Sequence, residues 1–191
     1  CAVGLVLPAR GQLFSDTFTN RTTLPPWVAQ SGTWAVAGGV MKGSTNTAQN
    51  YCFAYITTNN FTNFSVQAQF QFPAGAYGGG LGGRLNTNSG THYAAWIYPE
   101  NSGGGSNVLK LLRFTDYSSW VLLQQTNLAA VGTSTNTLKL EFSGTLINVY
   151  FNTNKLISAT DATYPSGSVS LDMWADTGYQ MTVDNVVANA L

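Results

Sequence analysis

Phe64-Ser65-Val66-Gln67-Ala68-Gln69-Phe70-Gln71-Phe72 alternates apolar and polar residues without a break. Successive side chains of an extended chain point to opposite sides, so a period of two marks a strand with one buried face. Phe64, Val66, Ala68, Phe70 and Phe72 share that face, and a slip of one residue would expose all five. On either side the chain divides into similar short runs, rich in β-branched and aromatic residues. They are Leu13 to Phe18, Thr33 to Val36, Val40 to Gly43, Tyr51 to Thr57, His92 to Tyr98, Val108 to Phe114, Trp120 to Gln125, Thr137 to Phe142, Leu146 to Phe151, Lys155 to Thr160, Val169 to Met173 and Gln180 to Val187. Between them Ser31-Gly32, Gly38-Gly39, Ser143-Gly144, Asn152-Thr153-Asn154 and Ser166-Gly167 supply the backbone conformations of tight hairpins. No helical period persists beyond a turn or two. The expected fold is all-β, an antiparallel jelly-roll β-sandwich with aromatic inner faces and neutral polar outer faces.

A chain of 191 residues fits one such sandwich. Charged residues make up 8% of it, against roughly 25% in ordinary soluble domains. Thr (23), Asn (17), Ser (15) and Gln (9) take their place, giving a hydroxyl-and-amide surface. Eight Lys plus Arg balanced by eight Asp plus Glu provide no basic patch, which excludes nucleic acid as a partner. No apolar run approaches the roughly 20 residues of a membrane-crossing helix, so no transmembrane segment is expected. His92 is the one histidine, which rules out mechanisms that need two, and no CxxC or Cys/His cluster suggests zinc.

Residues 1–12 differ from the rest. An apolar run, Ala2-Val3-Gly4-Leu5-Val6-Leu7, is followed by Pro8 and by Ala9-Arg10-Gly11, a small-x-small pattern of the kind signal peptidase accepts. The segment reads either as a signal-peptide remnant or as an additional N-terminal strand, with Val3, Leu5 and Leu7 on its larger face. Too short to bury itself, such a strand must add to a sheet edge, on its own subunit or on a neighbour. In the second case copies of the chain join head to tail, and Cys1 of one can bridge Cys52 of the next. Cys1 is also where a lipoprotein would carry its acyl chains. Three sequons, at Asn20, Asn60 and Asn63, agree with an extracellular or cell-surface protein. Residues 13–191 form the domain proper.

A resemblance to a known superfamily rests on specific strings. Thr137 to Phe142, Gly144, Leu146 to Phe151 and Lys155-Leu156-Ile157 resemble the closing strands of the concanavalin A-like, laminin-G-like jelly rolls. So do Ser168 to Trp174 and Val183-Asp184-Asn185-Val186-Val187. Phe14 to Phe18, with Trp34-Ala35-Val36 and Gly39-Val40-Met41, is similar to the opening strands of the same superfamily, including its secreted, glycan-associated members. The resemblance covers residues 13 to 187 and implies their fold. It leaves activity open among lectins, adhesive modules and glycosidases.

Glycoside hydrolysis needs two facing carboxyl groups about 5 to 9.5 Å apart. The Glu-x-Asp-x-x-Glu type run of glycosidases in this superfamily is missing here, so no catalytic residue is assigned and a hydrolase ranks third. Glycan binding needs aromatic platforms for sugar CH faces and polar groups for the hydroxyls. Trp96 and Tyr98 share strand parity with His92, Arg84 on the preceding strand can reach the same face, and Trp120 and Trp174 lie near strand ends. A lectin-like module is therefore the second reading. Asp16 and Asp184, on the first and last strands, are a candidate calcium site; no other cofactor is expected. The leading expectation is a non-enzymatic surface protein that assembles with its own copies through residues 2–7, or adheres, and the Gly103-Gly104-Gly105 cluster reads as a loose loop.

Overall fold

The alternating segment forms β6 (Phe64–Gln71), with Phe64, Val66, Ala68 and Phe70 all buried as the period requires. In this computed structural model, which describes residues 11–45, 50–57, 60–175 and 178–191, β6 lies near the middle of the first of two antiparallel sheets. That sheet runs in the order β13 (Asn154–Thr160), β12 (Leu146–Phe151), β11 (Asn136–Ser143), β6, β15 (Gly178–Ala190), β4 (Val40–Thr45), β3 (Thr33–Ala37). β1 (Gln12–Asp16) pairs with β15, placing Ser15 opposite Val187. The second sheet runs β10 (Trp120–Asn127), β9 (Val108–Phe114), β8 (His92–Tyr98), β7 (Gly79–Leu85), β14 (Ser168–Ala175), β5 (Asn50–Ile56), β2 (Trp27–Ala29). The chain is thus an all-β antiparallel sandwich of jelly-roll type. Three strands, β8, β9 and β12, have the bounds expected from composition. The three-residue β2 offers too short a run to be read, and in β7 the glycines belong to the strand itself.

The core between the sheets takes one parity from each strand. Cys52, Ala54 and Ile56 of β5, Tyr93, Ala95 and Ile97 of β8, and Val169, Leu171 and Met173 of β14 meet Val66, Phe70, Leu138, Leu140 and Val183 of the first sheet. The outer face of the first sheet is polar, with Gln67, Thr137, Lys139 and Tyr150 around one cavity of about 200 Å³. The second sheet departs from that expectation. Its outward parity carries Phe53, Ala94, Trp96, Tyr98, Val108, Leu112 and Phe114, a separate buried apolar cluster. β8 is consequently buried on both faces along its whole length.

Residues 1–10 lie outside the described residues, and with them Cys1, Val3, Leu5, Leu7 and the strand expected at 2–7. Cys52 is fully buried in the core, with its side chain hydrogen-bonded to Thr45 and its thiol pKa pushed up by burial. A bridge from Cys52 to a neighbouring chain would require the core to open. Among the described residues no helix is long and apolar enough to cross a membrane.

Candidate functional site

The outward face of the second sheet is built by register. Asp172 of β14 stands opposite Phe53 of β5, Trp174 opposite Tyr51, and Ser170 opposite Tyr55. On the other flank His92 of β8 pairs with Phe114 of β9, and Trp96 with Lys110. Because side chains alternate across a strand, one face collects Tyr51, Phe53, His92, Trp96, Tyr98, Lys110, Phe114, Ser170, Asp172 and Trp174.

The floor of this face is a sealed polar cluster. Asp172 is fully buried and takes hydrogen bonds from His92 Nε2 (3.1 Å), Trp96 Nε1 (3.1 Å) and Ser170 Oγ (2.5 Å). His92 Nδ1 lies 2.7 Å from the Gly90 carbonyl, an acceptor only, so Nδ1 carries a proton. The Nε2–Oδ2 contact is a hydrogen bond only with a further proton between its atoms, so the pair has no net charge. Three donors and the absence of net charge are what allow a carboxylate this depth. His92 stacks on Phe114 at 4.5 Å between ring centroids and meets Phe53 edge-on at 5.6 Å. Gly82 makes the cluster possible: a Cβ there would lie 2.0 Å from Ser170 Oγ and 3.2 Å from Asp172 Oδ1.

Above that floor sits a ring of half-buried aromatic groups. Trp120 of β10 donates its indole N–H to the Tyr51 hydroxyl at 3.0 Å. Tyr51 lies 6.3 Å from Trp174, which also packs against Tyr77 at 5.1 Å and Tyr98 at 6.4 Å. Lys110 Nζ stands 4.6 Å over the Tyr98 ring and 6.0 Å from Trp120, and donates to the Gly104 carbonyl at 2.7 Å. Burial lowers the Lys110 pKa and raises that of Tyr98. The glycine cluster at 103–105, expected to be loose, instead packs on these rings: a Cβ on Gly104 would come within 1.9 Å of Tyr98.

The structure brings His92, Trp96 and Tyr98 onto one face with Trp120 and Trp174, the separate candidates near strand ends. Their roles differ, because Trp96 and Tyr98 are 0% and 2% exposed and offer a ligand no ring face, whereas Trp120 and Trp174 are half-buried. Arg84 points elsewhere. It sits at a β-bulge with φ 56°, which turns its side chain toward the loops at the end of the sandwich. There its guanidinium donates to the carbonyls of Thr62 (2.7 Å), Gly144 (2.8 Å) and Tyr164 (3.0 Å). Tyr51 and Lys110 were missed. Their signals were the aromatic i, i+2, i+4 series Tyr51, Phe53, Tyr55 and a lone charge in the apolar run Val108 to Leu112.

The other candidates lie off this face. Asp16 accepts from Trp27 Nε1 (2.8 Å), the Phe18 amide (2.8 Å) and Arg21. Asp184 accepts from the Asn185 amide at 2.7 Å and lines a small cavity with Gln69 and Thr182. Among the described residues no group of three or more His, Cys, Asp or Glu is placed to hold a metal ion. Glu100 is held by the Val131 and Gly132 amides, Asp116 by Ser118 and Ser119, Glu141 by Lys139 and Asn148, and Asp161 by Arg113 and Tyr93. Asp172 is thus the carboxylate of the aromatic face among the described residues. Asn20 and Asn60 are exposed, the latter beside a cavity of about 300 Å³ with Thr57, Asn86 and Ser168; Asn63 accepts from the Gly144 amide at 2.8 Å.

No protein-family profile and no curated protein sequence matches the chain. Solved structures do. A carbohydrate-binding module from Bacillus subtilis superposes with a TM-score of 0.75 at 17% identity, over 89% of this chain and 99% of that one. A Bacillus subtilis protein of unknown function with a galectin-like fold gives 0.74 at 10% identity, over 95% and 97%. An endo-β-1,3-glucanase from Pyrococcus furiosus gives 0.72 at 10% identity, over 95% and 94%. Identities this low establish a shared fold, the jelly-roll sandwich, and carry no activity with them.

Proposed function

We propose that the chain is an extracellular carbohydrate-binding protein that holds a polysaccharide against the ring of Trp120, Tyr51 and Trp174. The observation that carries this is the outward aromatic layer of the second sheet. A sandwich normally turns polar groups outward, and half-buried indoles over a rigid floor suit the CH faces of sugar rings. Solved structures of the same fold include a carbohydrate-binding module and a glucanase, which favours a glycan as the ligand. Binding is preferred to hydrolysis because Asp172, the described carboxylate of this face, is fully buried with all its donors supplied from within. Assembly through Val3, Leu5 and Leu7 rests on sequence alone, and the depth of Cys52 counts against a covalent link between neighbours.

Native affinity electrophoresis in gels containing soluble polysaccharides tests the proposal. Wild-type protein should be retarded by at least one of them, and Trp120→Ala and Trp174→Ala should each weaken retardation roughly tenfold, the loss of one stacking platform. Retardation that survives both substitutions together would place the ligand elsewhere and overturn the site.

A further inference from the structure

Among the described residues, the charge on the aromatic face is set by one residue. His92 and Asp172 cancel, which leaves Lys110, whose Nζ is flanked by Tyr98 and Trp120 and has the Gly104 carbonyl as its hydrogen-bond acceptor. An ammonium carries three donors, so two remain for a ligand. No carboxylate stands within ion-pair distance of it among the described residues, where Arg21, Arg113 and Lys139 each have an acidic partner. The described acids of the surrounding elements are occupied. Glu100, beyond the end of β8, is turned to the Val131 and Gly132 amides. Asp116, in the β9–β10 turn, is held by Ser118 and Ser119. Asp172 lies three strands away, on the order of 14 Å at the usual strand spacing. Across β10 the residue paired with Lys110 is the neutral Gln125. Burial among the rings has already removed part of the ammonium's water, as its lowered pKa reflects. An anion brought to this point gains a charge-assisted hydrogen bond at small further desolvation cost.

Resting on the glycan-binding reading, we propose that the ligand is an anionic glycan, whose carboxylate or sulfate is met by Lys110 Nζ while a neighbouring sugar ring lies on Trp120. Lys110 is then the specificity-determining residue. A cation placed between the buried Tyr98 ring and Trp120, a ring of the platform, sits where a substituent of a stacked sugar would project. In a chain with so few charges, one uncompensated ammonium dominates its local field.

The test uses matched pairs of polysaccharides that differ mainly in charge: polygalacturonate with its methyl ester for carboxylate, and carrageenan with agarose for sulfate. The full chain should bind the anionic member of at least one pair roughly ten- to hundredfold more tightly than its neutral partner, the range for a hydrogen bond to a charged group. The preferred pair identifies the anion. That preference should shrink as salt is raised, disappear in Lys110→Met, which keeps the aliphatic stem, and persist in part in Lys110→Arg. Equal binding of both members, or a preference that survives Lys110→Met in a variant shown by thermal melting to be folded, overturns the assignment. If neutral polysaccharide is still bound and Trp120→Ala weakens that binding, the glycan reading stands without the anion. If wild type binds neither these pairs nor any polysaccharide of a wider panel, both readings fall.

Discussion

Residues buried against type show most clearly what the local chemistry does. Asp161 is one. Burial pushes its carboxyl pKa up, but hydrogen bonds from the Thr163 hydroxyl, the Tyr93 hydroxyl and the Thr163 amide, with the Arg113 charge, outweigh this and hold it at about 2 against an ordinary 3.8. A depressed pKa stabilises the fold above the unfolded value and ceases to do so as pH falls through the folded one. Asp161→Asn should therefore cost about 2 kcal/mol at neutral pH, or roughly 5 °C in Tm for a domain this size. The deficit should close between about pH 4 and pH 2. Melting curves of both proteins across that range check this, and a deficit independent of pH would mean that packing, not the charge, is responsible. Asp172 differs in kind, since its partners include a histidine that shares its proton. The sequence marks it only as an acid inside the apolar strand Val169 to Met173. Which of eight acids sits where is set by register and bulges, so Trp96 could be placed on the right face from parity while its depth could not. Depth depends on what the neighbouring strands stack over it, and parity says nothing about that.

Strands were legible where the period of two is strong, as in β6, and where a β-branched and aromatic run is bounded by turn residues, as in β8, β9 and β12. β7 was harder to read because its glycines carry no pattern; their meaning lies in the strands beside them. Gly82 faces Ser170 across the β7–β14 pair and Ala94 across β7–β8. A methyl at Gly82 would force Ser170 Oγ, and then Asp172, out of place. Gly82→Ala should destabilise by about 1–3 kcal/mol, the range for overpacking in a filled site. Because the clash is chiefly with one atom, Gly82→Ala combined with Ser170→Ala should cost less than the sum of the single changes, by about 1 kcal/mol. Denaturant melts of the four proteins give the coupling directly. Additive costs would show that backbone strain in β7, not the approach to Ser170, makes glycine necessary. The same logic explains the misreading of Gly103-Gly104-Gly105: a glycine run is equally the mark of a loop with no contacts and of one pressed against rings, and only the position of Tyr98 and Trp174 decides between them.

At the scale of the whole molecule the sandwich has two apolar layers, one between the sheets and one on the outside of the second. The inner layer follows from alternation and would be present in any jelly roll. The outer one does not follow from alternation alone and draws on the 13% of the chain that is aromatic. Its rings are fixed from below by the Asp172 cluster and from above by the 103–105 turn, so the platform exists before a ligand arrives, and little ordering cost is left for binding. A ligand that binds only the folded chain must then raise its stability by mass action, about 2.7 kcal/mol at a concentration one hundred times Kd. For a domain of this length that corresponds to a rise of about 5–10 °C in Tm. Thermal melts at increasing concentrations of a bound polysaccharide should show this rise, with the Trp120→Ala, Trp174→Ala double variant flat across the same series. The unliganded melt should remain a single cooperative transition in both proteins, since the half-buried rim rings are not part of the inner core. A wild-type Tm that stays constant at concentrations saturating the electrophoretic assay would show that the polysaccharide binds folded and unfolded chain alike. The aromatic layer would then be a structural second core, and no platform.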